Sequence, residues 1–77
     1  MELRSLFEEV DRTPFVPFVV ELDNGRQIPV DHPENIIFAP TRSRVLDILV
    51  YGESGLLVIF GPTAISALVP SQDGRGS

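Results

Sequence analysis

Apolar residues at Leu3, Leu6, Phe7 and Val10 follow the i, i+3, i+4, i+7 spacing of one helix face, which predicts a short amphipathic helix over Glu2 to Asp11. Its other face, Glu2, Arg4, Ser5, Glu8, Glu9 and Asp11, is left for water. Pro14 ends it, because the residue before a proline is pushed out of the α region. A helix of about ten residues is marginal by itself, so this one must dock its apolar face on something.

From Phe15 onward the period changes from helical to alternating. Phe18, Val20 and Leu22 share one side, and Ile28 and Val30 return on that side after Asp23-Asn24-Gly25, which predicts a hairpin closed by a tight primed turn. Pro17 lacks an amide hydrogen and belongs at an edge, a strand start or a bulge. Asp31 to Asn35 is a turn or sharp bend, and Ile36 to Ala39 is a short strand closed by Pro40. After the polar break Thr41 to Arg44, Val45 to Tyr51 is a strand apolar on both faces apart from Asp47. Gly52 to Gly55 forms a hairpin loop, and Leu56 to Phe60 is again apolar on both faces. Gly61-Pro62 breaks that strand, Thr63 to Ser66 makes one helical turn, and Ala67 to Val69 is a last strand ended by Pro70.

A short all-β chain has to hide its sheet edges. Residues 1–70 are therefore expected to form one mainly β (α+β) domain, a short N-terminal helix followed by five short strands in an SH3-like or Sm-like small barrel. Residues 71–77 read as a flexible tail. The two doubly apolar strands carry more oily surface than one interior takes up, which makes Val45, Leu49, Val50, Tyr51, Leu56, Val58 and Phe60 candidates for an interface. The expected partner is a further copy or another protein. Glu at Val50 or Val58, if these face outward, should separate the copies and leave the barrel folded.

Composition narrows the function. With 77 residues the core is thin, and with no Cys no disulfide can reinforce it. A hydrophobic share of 43% against 22% charged is too apolar for a disordered segment. The formal charge of −5 comes from eleven acids against six Arg and no Lys, which disfavours nucleic acid and anionic lipid as partners unless the arginines gather. Arg42 and Arg44, alternating with Thr41 and Ser43, are the candidate anion-binding pair. Their alternative is a solvated loop whose arginines pair with nearby acids. The longest apolar run, Leu56 to Phe60, is far short of the roughly 20 residues a membrane-spanning helix needs. The N-terminus lacks the pattern of a signal peptide, so a cytoplasmic location is expected.

Candidate chemistry is sparse. His32 with Asp31 and Glu34 reads either as part of a metal or acid-base site or as a bend residue bonded to backbone. A hydrolytic triad would need Ser43, Ser54 or Ser66 to meet the single His, and no spacing singles one out, so an enzyme is disfavoured and no cofactor is expected. The aromatics Phe7, Phe15, Phe18, Phe38, Tyr51 and Phe60 read as core, because a base-stacking surface would carry interleaved basic residues.

Two resemblances follow from these residues. Pro14-Phe15, Pro17-Phe18, Leu22, Gly25-Arg26, Val30 and His32-Pro33-Glu34 resemble a group of short uncharacterised bacterial proteins with an HPE-like tripeptide after the first hairpin, a group that brings no activity. The N-terminal helix, the Leu22-Asp23-Asn24-Gly25 turn and Ala64 to Pro70 resemble the Sm-like (Hfq-like) small barrels. That resemblance implies a ring built by pairing the fourth strand of one subunit with the fifth of the next, and RNA binding. The family's RNA-contacting aromatic-Lys-His triplet has no counterpart here, where Gly61, Pro62 and Thr63 precede Ala64.

Overall fold

The helix predicted by the first apolar stripe forms as α1 (Leu3–Asp11), and it buries Leu6 and Val10. Among the described residues six strands follow, β1 (Phe18–Leu22), β2 (Gln27–Val30), β3 (Ile36–Thr41), β4 (Arg44–Tyr51), β5 (Leu57–Phe60) and β6 (Ile65–Pro70). Single 3-10 turns at Pro33–Asn35 and Pro62–Ala64 precede β3 and β6. The computed structural model describes residues 3–52 and 55–71. The expected tail beyond residue 71, and Glu53 and Ser54 of the second hairpin loop, lie outside the described residues.

The expected five-stranded closed barrel is corrected in two ways. Each apolar segment makes its own strand, giving six, and the strands form two antiparallel three-stranded sheets, ordered β2-β1-β6 and β3-β4-β5. No ladder joins the sheets among the described residues. Proline supplies a physical reason. Pro29 in β2, Pro40 in β3 and Pro70 in β6 each remove a backbone donor from a strand at a sheet edge. β3 runs through Pro40 instead of stopping there, with a register shift between Ala39 and Pro40.

Alternation fixes what each sheet buries. Phe18, Val20, Leu22, Ile28 and Val30 face inward from the first sheet, and Ile36, Ile48, Val50 and Phe60 from the second. Leu6 and Val10 of the helix join the same cluster. The helix closes one side of this sandwich. Phe7 meets the Phe38 ring of β3 edge to face at 4.9 Å, and Glu9 and Arg12 line a cleft with Leu68 and Pro70 of β6. The opposite side, between β2 and β5, has no helix over it and carries two open clefts.

The first hairpin differs in its turn. Leu22 donates to the Arg26 carbonyl at 2.9 Å, Gly25 donates to the Leu22 carbonyl at 2.9 Å, and Gly25 has φ +88°. This is a three-residue loop ending in a left-handed glycine, the G1-bulge hairpin, in place of the two-residue primed turn. Among the described non-glycine residues none has positive φ, so Asn24 contributes through its side chain, which accepts from the Arg26 amide at 2.9 Å. The β4–β5 hairpin repeats the bonding. Gly52 donates to Leu56 at 2.8 Å, Gly55 donates to Gly52 at 3.0 Å, and Gly55 has φ +83°.

Candidate interaction surface

The second hairpin decides which side chains of the second sheet face out. Because Gly52 and Leu56 close the loop, Tyr51 pairs with Leu57 and Leu49 with Ile59, while Ile37 of β3 pairs with Leu49 from the other side. Ile37, Leu49 and Ile59 thus form one row across three strands, and Tyr51 and Leu57 form the next. Their exposures are high for such residues, at 43% for Ile37, 43% for Tyr51, 41% for Leu57 and 58% for Ile59. Among the described residues the charges on this face are Asp47, opposite Ala39, and Arg44, opposite Thr41, both at the far end of the sheet. An apolar surface organised in register over three strands is the kind that marks a contact site.

The seven interface candidates from the sequence are split by this geometry. Val50 and Phe60 are buried in the core and take no part in an outer surface, which corrects the expectation that Val50 could carry an interface substitution. Val45, Leu49 and Val58 are half-buried, and Tyr51 and Leu56 are exposed. Of these Leu49 and Tyr51 lie on the outer face, whereas Val58 points inward opposite Val50. Ile37, Leu57 and Ile59 were missed. A strand apolar on both sides gives no parity signal, and shifting the choice by one residue exchanges its faces. Gly55 held the signal, since a left-handed glycine ending a three-residue loop fixes the pairing of the flanking strands.

β5 has a second property, set by the same ladder. In an antiparallel pair, alternate residues aim their N–H and C=O groups at the neighbour and away from it. The Gly52–Leu56 bond makes Val58 and Phe60 the residues turned to β4, so the backbone groups of Leu57 and Ile59 face the free edge. The other edge strands each carry a proline, and β5 does not. The same reasoning from the Leu22–Arg26 bond puts the Pro29 nitrogen on the free side of β2, and from the Ser71–Pro17 bond at 3.2 Å it puts the Pro70 nitrogen on the free side of β6. Beside the β5 edge lie two clefts of about 180 and 360 Å³, both bordered by Arg26 and Val58.

Arg42, a candidate anion ligand, is held within the molecule. Its guanidinium donates to both Asp11 carboxylate oxygens at 2.7 and 2.8 Å, and its carbon lies 5.2 Å from the Phe7 ring centre and 5.4 Å from that of Phe38. The hydrogen bond from Arg42 holds the Asp11 carboxyl below its ordinary value and raises the guanidinium in return. Arg44 is exposed two residues along, and its amide donates to the Thr41 hydroxyl at 3.2 Å. The arginine pair is therefore divided, one member clamping the helix and the other facing solvent.

His32 is exposed and extended, with φ −142° and ψ 147°, directly before the Pro33–Asn35 turn, and its carbonyl accepts from Asn35 at 3.0 Å. Glu34 is exposed within that turn. Among the described residues no group of three or more His, Asp or Glu is placed to hold a metal ion. No helix among them is long and apolar enough to cross a membrane.

No known protein family, curated protein or solved structure matches this chain. The Sm-like resemblance accordingly rests on the chain's own pattern.

Proposed function

We propose that this chain is a non-enzymatic binding or assembly module that associates with copies of itself through strands β4 and β5. The observation that carries the reading is the in-register apolar surface of Ile37, Leu49, Tyr51, Leu57 and Ile59, which meets β5, the edge strand without a proline. Fully burying a side chain of this size is worth about 1.5–3 kcal/mol relative to leaving it in water, and these side chains, at 41–58% exposure where most open, gain the remaining part of that on contact. Among the described residues Asp47 is the acid that the ladder places on this face, with Arg44 beside it, so like-charge repulsion between copies is small there.

Sedimentation equilibrium from about 1 to 100 μM, the range in which contacts of modest size assemble, tests the reading. A mass above that of one chain, reduced by Ile59→Glu in a protein with unchanged circular dichroism, is the expected result. A wild type that stays monomeric across the range refutes it.

A further inference from the structure

We infer that the free edge of β5 takes up the β5 strand of a second copy, antiparallel about a two-fold axis through Val58, making one six-stranded sheet ordered β3-β4-β5-β5-β4-β3. The inference rests on the self-association proposed above and specifies its geometry and stoichiometry.

Self-complementarity is the first argument. The outward backbone groups of β5 belong to Leu57 and Ile59, spaced symmetrically about Val58. An antiparallel pair centred on Val58 sets Leu57 of each copy opposite Ile59 of the other and satisfies two N–H and two C=O groups per strand. The same operation puts Leu57 and Ile59 side by side on the outer face, where apolar cross-strand pairs add about 0.2–1 kcal/mol each.

Exclusion is the second argument. β2, β3 and β6 each bear a proline, and those of β2 and β6 are turned to the free side, the means by which proteins discourage strand addition. The edge strand lacking that protection is β5, so the matching edge that a second molecule offers is again β5. Charge is the third. β5 is uncharged, so the new ladder, which borders both clefts, sets no like charges opposite each other. The incoming strand also covers those clefts, where Ile28, Val50 and Leu56 border the opening.

Two variants test this. Ile59→Pro removes a donor from the free edge and spares the β4 ladder, as Pro29 does opposite Val19 in β2. Val58→Cys introduces the single thiol of the chain at the axis, where non-hydrogen-bonded partners lie about 4.5 Å apart at Cα, within the span a disulfide bridges. The expected results are a wild-type dimer, a dissociation constant weakened at least tenfold by Ile59→Pro with the folded circular dichroism kept, and a covalent dimer of Val58→Cys on mild oxidation. An assembling wild type whose mass is untouched by Ile59→Pro and whose Val58→Cys variant does not cross-link overturns edge pairing and leaves self-association standing. A mass of three or more chains, meaning β5 meets a different edge such as β6, also overturns it. A monomeric wild type at 100 μM, on the scale of weak interfaces, removes both readings, whether the edge is then empty or serves a foreign strand.

Discussion

Arg42 reaches back 31 residues to grip Asp11 with two parallel hydrogen bonds of 2.7 and 2.8 Å, and so ties the β3–β4 turn to the last residue of α1. A carboxylate at a helix C-terminus opposes the helix dipole. Arg42 offsets that conflict, and its guanidinium carbon lies 5.2 Å and 5.4 Å from the ring centres of Phe7 and Phe38 at the same time. Cation–π contacts at exposed sites are worth about 0.5–1 kcal/mol. Arg42→Ala should therefore lower the thermal midpoint by several degrees, about 4–8 °C per kcal/mol for a domain of this size. Arg42→Lys should recover less than half of the loss, because an ammonium group lacks the flat fork. Differential scanning calorimetry of the three proteins checks both.

The same bond makes stability depend on acid. The folded Asp11 carboxyl titrates below its ordinary value of 3.8 because Arg42 donates to it. A depressed carboxyl stabilises the fold above the unfolded value, and that stabilisation is lost as pH falls through the folded value. The gap in thermal midpoint between wild type and Asp11→Asn should be open at pH 7, begin to narrow near the ordinary value of 3.8 and close below the folded one. A gap independent of pH from neutral to strongly acid would contradict the assignment.

Leu6 is fully buried between the helix and both sheets. Truncation of such a leucine costs about 2–5 kcal/mol, which is much of the stability of a domain this small. Leu6→Ala is expected to lose helical ellipticity and unfold at a clearly lower urea midpoint. A midpoint within error of wild type would mean that α1 is not docked in solution.

The two faces of the second sheet should respond oppositely to a charge. Val50→Glu places a carboxylate in the apolar core and should prevent folding. Ile59→Glu, on the exposed side, should stay within about 0.5 kcal/mol of wild type by urea denaturation while weakening assembly. Equal destabilisation by both would show that the outer surface is covered within one chain.

Gly25 has φ +88°, and a methyl group added there meets open space. Gly25→Ala should therefore cost the backbone term alone, about 1–2 kcal/mol for a left-handed non-glycine residue. An unchanged midpoint would show that the turn relaxes to another type.

Much of the architecture was legible because periodicity was clean. Leu6 and Val10 in the helix, and Phe18, Val20, Leu22, Ile28 and Val30 in the first hairpin, are buried as their spacing requires. The late strands were harder. LVIF in β5 has no polar residue to mark its wet side, so Val58 and Phe60 could be named as surface when Leu57 and Ile59 are. Barrel closure failed for a different reason. Closure follows from the need to hide edges only where nothing else protects them, and this chain protects most of them with proline. The Arg42–Asp11 clamp could not be seen from spacing, since it joins residues brought together only when the helix docks.

Pro40 has a consequence for how far such a sheet can grow. A six-stranded sheet built on β5 would end at both rims in β3, where Pro40 removes one donor and the register shifts beside it. If copies pair through β5 as proposed, a third molecule would find no second β5 to join, so assembly of that kind would stop at two and a chain with an open sticky strand would be kept from becoming a fibre.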